Sequence, residues 1–364
     1  MIRLSLLQFR VQAITAAVTL AAFAVLLAAT GPHLASMYAA DGLDSCHGGS
    51  CLSPAVYFTA SLTTGLYGAL FLLSTGIILL APAVIGLFWG APLIARELET
   101  GTAALAWNQS VTRTRWLAVK LTIGGLTAIA LTEALSLMQT WWAAPISQAA
   151  VDGSGSGTAQ SRFAQLNFAS HGITPLGYAA FAFALGVTAG ALIRRTVPAM
   201  AVTLAIFAAL QVAMPLWVRP NLAPPDRTVI PVTSLGAAIP SETGAGGTIF
   251  TLYATTIPGQ AGAWLLSSGP VNVARQPVST TPAACTSVEG TSPSPGANQA
   301  ASPEGATTGP VAFRDCLASH GIREAITYQP ASRYWRFQVT ETAIYLALAL
   351  ALTGYCFRRI SRLS

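Results

Sequence analysis

The stretch LYGALFLLSTGIILLAPAVIGLFW, residues 66–89, holds no charged side chain and is long enough to cross a bilayer as one helix. A hydrocarbon core about 30 Å thick takes roughly 20 apolar residues of helix, because lipid offers no partner to unpaired backbone groups. Five further segments meet that demand: 11–30, 116–142, 173–193, 199–218 and 339–357. The composition agrees, with 53% hydrophobic and 9% charged residues, whereas soluble domains carry about one quarter charged residues. The expected fold is therefore an all-α polytopic membrane protein of six transmembrane helices. Segment 11–30 follows Arg3 and Arg10 as the apolar part of a signal peptide would. It exceeds the usual run of about 7 to 15 residues and lacks a clear cleavage site, so it is expected to be a retained span.

Orientation follows from the basic residues. With the N-terminus inside, the short inner segments hold Arg3, Arg10, Arg96, Arg113, Arg115, Lys120, Arg194, Arg195, Arg358, Arg359 and Arg362, whereas the two short outer loops hold only Arg162. This bias puts both termini in the cytoplasm of a bacterial cell whose plasma membrane the chain crosses several times. Segment 219–338 holds the remaining arginines, but long loops cross largely regardless of charge. The chain thus divides into a membrane domain, 1–218, an extracytoplasmic segment, 219–338, and a sixth span with a basic tail, 339–364. Tryptophans 89, 107 and 116 are expected near the inner interface and 141, 142, 217 and 335 near the outer one. Residues 1–10, MIRLSLLQFR, suit a short interfacial helix with Ile2, Leu6 and Phe9 on one stripe.

Directly after the opening stretch comes ARELETGTAALAWNQSVTRTRWLAVK, residues 95–120, where charge gathers between two apolar spans. Pro92 suits the first position of a helix over 93–99, and Gly101 suits its end. A helix of about two turns is unstable in water alone and needs a surface to dock on. Leu93, Ile94 and Leu98 offer an apolar edge, with Arg96, Glu97 and Glu99 as polar contacts. Ser110 or Thr112 can cap the next helix. A short amphipathic helix between two spans is a lever on which a cytoplasmic partner can pull. The chain is expected to hold no ATPase of its own: a phosphate-gripping loop needs lysine after a glycine-rich turn, and the sole lysine, Lys120, has none before it. One lysine among 19 basic residues points to a GC-rich coding sequence, so the basic pI says little about nucleic acid, and no such partner is expected.

Residues 95–121 resemble the loop between the second and third spans of ATP-binding cassette (ABC) permeases, the exporter class with six spans per subunit. The matching positions are Glu99, Gly101, Thr102, Leu105, Ser110, Val111, Arg113 and Lys120. LLQFRVQA near the start, FWGAPLIARE before the loop and YQPASRYWRFQVTETAIYLALAL near the end look like the actinobacterial branch of that family. The resemblance implies that 93–101, within a coupling loop 91–115, seats in a groove of a separate ATP-binding subunit, with Arg96, Glu97, Glu99, Gly101, Thr102 and Arg113 at the contact. It also implies ATP and Mg in that partner, no cofactor on this chain, and a dimer with itself or a sibling permease.

Four cysteines fall outside the spans, on the oxidising side. Cys46 with Cys51 and Cys285 with Cys316 is the simplest of three pairings. Cys46, His47 and Cys51 lack a fourth ligand, so no metal is expected. Cys356 suits an apolar filler. Residues 277–310 are rich in Pro, Ser, Thr and Gly and are expected to be disordered or loosely tethered. Beyond them a short helix over 313–319, a turn and an extended stretch lead to the last span, and the outer segment shows little core.

Within the spans, Glu133 is the ionisable residue that would serve a proton-coupled secondary transporter, the main alternative function. A sensor or scaffold built on the outer segment is a third reading. A carboxyl bonded to a neighbouring helix explains Glu133 equally well. Gln211 and Gln139 are expected to make helix–helix hydrogen bonds. Glu341 is expected at the outer edge of the last span, reaching water. Pro82 should kink the second span.

Overall fold

The protein is described by a computed structural model over residues 10–46, 51–63, 65–101, 112–153, 161–234, 238–244, 247–252, 257, 260–278, 280–282, 284–285 and 305–361. Six helices are long and apolar enough to cross a membrane: Ala13–Ala40, Leu66–Glu99, Thr114–Trp142, Thr174–Ile193, Thr196–Asn221 and Ala331–Ile360, here spans 1 to 6. The expected interfacial helix over 1–10 lies, apart from Arg10, outside the described residues.

Span 4 is the axis of the bundle. It is buried continuously from Gly177 to Ala191, while spans 1 and 5 turn residues such as Val18, Val25, Val197 and Val202 outward. Lipid tails are as apolar as leucine, so helices associate in a membrane by close packing, which small residues permit. Gly86 and Gly90 of span 2 meet Ala182, Gly186 and Gly190 of span 4 in this way. A Cβ added at Gly86 would stand 2.7 Å from the Ala182 carbonyl oxygen, and one at Gly190 would stand 2.5 Å from that of Ala91.

At this crossing span 2 changes pitch. An α-helix, Leu66–Ile85, passes through a π turn, Gly86–Gly90, into a second α segment, Ala91–Glu99. The expected separate helix over 93–99 is therefore the end of span 2 itself. Pro92 has no N–H to give, and the wider turn just ahead of it accommodates that gap, so the helix runs on instead of restarting. Gly101, at φ +72°, follows its C-terminus in the left-handed region.

Span 1 also outruns its expected end, continuing through Gly31 and Pro32 to Ala40. Packing overrides the local stop signals there: Leu34 is fully buried, and the Trp142 indole donates to the Thr30 hydroxyl at 2.9 Å. Helices Leu52–Thr63 and Ala144–Gly153, absent from the expectation, pack against each other at this end. Trp89, Trp116 and Trp142 are buried, while Trp141, Trp217 and Trp335 are exposed.

The segment between spans 5 and 6 corrects the all-α expectation to a mostly helical one. It holds β1 (Asp226–Pro231), β2 (Ala238–Gly244), β3 (Gly247–Leu252), β4 (Trp264–Val271) and β5 (Arg323–Gln329). An antiparallel sheet runs β1-β5-β4, with Asp226 opposite Tyr328 and Val271 opposite Arg323, and β2-β3 form a separate hairpin. The helix expected over 313–319 begins earlier, Gly305–Ser319, so the last residues of the stretch expected to be disordered are helical. Residues 286–304 lie outside the described residues.

The expectation of little core is also wrong. Ile230, Val232, Phe313, Leu317, Ile326 and Tyr328 form a buried cluster around Cys285. Disulfides join Cys46 to Cys51 and Cys285 to Cys316. Cys356 is buried and free.

Candidate functional site

Consecutive spans alternate in direction, so the bundle has an arginine-rich end and a disulfide end. At the arginine-rich end, two of the residues expected at a partner contact, Glu97 and Glu99, bond within the chain. Glu97 pairs with Lys120 of span 3, whose ammonium also lies 4.6 Å from the centre of the Trp116 ring. Glu99 accepts from the backbone N–H of Thr196 at 3.1 Å and from its hydroxyl at 2.8 Å. That carboxylate caps span 5, where unpaired N–H groups and the helix dipole favour a negative charge. The far end of span 2 is thus tied to spans 3 and 5, with Ile94 and Ala95 buried on the same side.

Arg96 remains exposed. Arg113 opens the helix of span 3, which Thr112 caps by accepting from the Arg115 N–H at 3.4 Å. Thr102 and Ser110 lie outside the described residues.

At the disulfide end a polar network was missed. Glu341 was expected to reach water; it is fully buried. Its two oxygens accept from Arg219 Nε at 2.8 Å and Nη2 at 3.0 Å, and the Tyr178 hydroxyl donates to the same carboxylate. The Arg219 guanidinium carbon stands 4.0 Å from the centre of the Phe168 ring. Arg219 sits at the end of span 5, Tyr178 on span 4 and Glu341 on span 6, so one ion pair fastens three spans.

One turn outward, buried Gln338 accepts from Thr174 at its N–H, 3.1 Å, and its hydroxyl, 2.7 Å, and donates to the carbonyls of Phe168 and His171, both at 3.1 Å. It serves the backbone groups that the start of span 4 leaves open. The signal available in the sequence was a lone arginine ending span 5 and a lone acid opening span 6, each costly in a membrane unless paired. Treating Arg219 as loop concealed it.

His171 borders a cavity of about 330 Å³ with Arg162, Asn167, Gln148 and Trp335. Burial lowers its pKa to about 4, although a bond from Nδ1 to the Asn167 carbonyl at 2.9 Å opposes the shift. Its Nε2 is buried without a partner among the described residues. The ring is therefore neutral at pH 7. Phe163, Phe168, Trp264, Tyr334 and Phe337 form an aromatic cluster that joins the sheet domain to the bundle, with Phe163 and Trp264 stacked at 5.7 Å.

The remaining intramembrane candidates divide. Gln211 accepts from the Tyr345 hydroxyl of span 6 at 3.4 Å, a helix–helix bond as expected. Gln139 does not: it is fully buried, and neither amide atom has a partner among the described residues. Glu133 is half-buried, with Oε2 likewise unpartnered.

Residues 17–219 match the family described as ABC-2 membrane transporter related. The chain belongs to that family. Membership makes it a multi-pass permease component of an ABC transporter and implies an ATP-binding subunit as its partner. No curated protein and no solved structure matches the chain. The family match covers spans 1 to 5 and stops at Arg219, the residue that binds Glu341 of span 6. The sheet domain and the last span of this ABC-2 permease thus lie beyond the matched region and are fastened to it by a buried ion pair and an aromatic cluster.

Proposed function

We propose that this chain is the transmembrane subunit of an ATP-driven exporter in a bacterial plasma membrane, forming the translocation path and taking its power stroke from a separate ATP-binding subunit. ATP and Mg reside in that partner, and two permease subunits, identical or sibling, complete the path. The arginine-rich end is cytoplasmic, and the sheet domain lies outside, where its disulfides persist. The observation that carries this reading is the unbroken span 2. From Leu66 to Glu99 it rises about 50 Å, well beyond the hydrocarbon thickness of about 30 Å.

Its far end is bonded to spans 3 and 5 through Glu97 and Glu99. A push on that end moves three spans together, and the π turn at the glycine crossing with span 4 is where such a motion can pivot. Exposed Arg96, together with Gly101, Thr102 and Arg113, forms the partner contact; Glu97 and Glu99 transmit the force.

The test is co-expression with a tagged ABC ATP-binding subunit and pull-down. Arg96→Glu should leave membrane insertion intact and lower permease recovery at least about tenfold, the loss of some 1.4 kcal/mol of binding. Glu97→Ala with Glu99→Ala should retain recovery yet uncouple ATP hydrolysis from transport. Full recovery of Arg96→Glu, together with normal coupling in the double variant, refutes the assignment.

A further inference from the structure

A second cavity, about 310 Å³, opens between spans 2 and 5 on the outside of the bundle. Span 5 lines it with Leu204, Ala208, Gln211 and Pro215, and the stripe ends at Arg219. These spacings keep one helical face, and the stripe climbs about 22 Å at some 1.5 Å per residue. Leu80 and Ala83 of span 2, Leu166 and Ala169 of the helix Gln165–Ser170 and Tyr178 of span 4 form the other walls. Leu80 and Leu204 are 64% and 45% exposed, so the groove is open to lipid away from its Arg219 end. It exceeds half of the hydrocarbon core of about 30 Å, and so runs the depth of one leaflet.

The two ends of the groove differ. The Leu204 end is apolar. The opposite end holds Arg219, only 1% exposed, whose Nε and Nη2 are occupied by Glu341 and whose ring-facing side is occupied by Phe168. The third guanidinium nitrogen, Nη1, is buried with no partner among the described residues. An unsatisfied donor at membrane depth is costly, and a guanidinium fork favours phosphate oxygens.

We propose that this groove binds one glycerophospholipid from the leaflet at the disulfide end, an acyl chain lying along the Leu204–Arg219 stripe and a phosphate oxygen accepting from Arg219 Nη1. Glu341 already cancels the charge of Arg219, so the site selects an acceptor oxygen at a fixed depth rather than a large net negative charge. The lipid fills the side of the bundle where spans 2 and 5 diverge above their joint at Glu99 and Thr196. The site goes beyond the exporter reading and needs neither ATP nor a partner subunit, so the two fail independently.

The full-length chain, in phosphatidylcholine nanodiscs, is photolabelled with phosphatidylglycerol bearing a diazirine on one acyl chain, and the labelled peptides are mapped. Labelling should concentrate on the facing stretches of spans 2 and 5. Ala208→Trp, which fills the groove from an exposed position, should reduce it at least about tenfold. Diacylglycerol with the same labelled chain but no phosphate should label the groove by a similar factor less. Equal labelling of the exposed faces of spans 1 and 6, indifference to Ala208→Trp, or equal labelling by diacylglycerol each overturns the proposal.

Discussion

Among the described residues the two ends of this bundle each hold one ion pair that links spans, and they hold it differently. Arg219 and Glu341 are 1% and 0% exposed, with Tyr178 completing the carboxylate and Phe168 covering the guanidinium. Lys120 and Glu97 are 5% and 21% exposed at the rim of the bundle. Removing charges from water costs far more than their attraction returns unless further hydrogen bonds complete the site. The disulfide end meets that condition with a network and is built as a rigid clamp. At the arginine-rich end Glu97 stays 21% exposed, and the close approach of spans 2 and 4 rests on glycines, with the Glu97 and Glu99 carboxylates as tethers at the rim.

The largest expected effect breaks the clamp. Glu341→Ala leaves Arg219 buried and unpaired and should cost about 3–5 kcal/mol, read as a collapse of the thermal transition or of folded yield in detergent. Replacing Arg219 and Glu341 together with leucine and methionine should recover most of that loss, since no uncompensated charge is then left buried. A double variant no better than the single one would show that the clamp works through something other than charge burial.

A middle effect sharpens the contrast through pH. His171 titrates near 4 in the fold against about 6.5 in an unfolded chain. The native state therefore binds fewer protons across that interval. Its stability is complete above about pH 6.5 and declines toward pH 4, by up to about 3 kcal/mol. Amide protection factors at the start of span 4, with the intrinsic pH dependence of exchange divided out, should fall from about pH 6.5 toward pH 4 and stay constant in His171→Gln. An unchanged slope would place the titrating group elsewhere.

The smallest effect lies at the tethers. Glu97→Ala leaves Lys120, 5% exposed, with only the Trp116 ring beside it at the rim among the described residues, and should lower thermal stability by about 2 kcal/mol, less than Glu341→Ala. A loss as large as that of Glu341→Ala would erase the distinction between the ends.

Six spans were legible because twenty-odd apolar residues in a row admit one physical reading in a bilayer, and the ranges found differ mainly at their ends. The glycine that stops span 2 was legible too. The continuity of that span through Pro92 was not, because a π turn is stabilised by the backbone contact it makes with span 4, which no local propensity records. The sheet domain was obscured for a different reason. β5, REAITYQ, takes partners from residues 226–231 and 264–271 and carries buried Glu324 among its core positions, so its apolar alternation is broken by a carboxyl.

That carboxyl rises to about 7 because burial disfavours its charge. The clamp was hardest to read: Arg219 and Glu341 are separated by the whole domain, and each alone resembles an ordinary interfacial charge.

Composition and hydrophobic run length, by themselves, determined that this chain holds six helices long and apolar enough to cross a membrane, since that depends only on the transfer of side chains and backbone out of water. Which charges stay exposed and which are bonded inside the chain was decided by tertiary structure alone. A carboxylate's role depends on the donor that reaches it, and for Glu97, Glu99 and Glu341 that donor arrives from another helix.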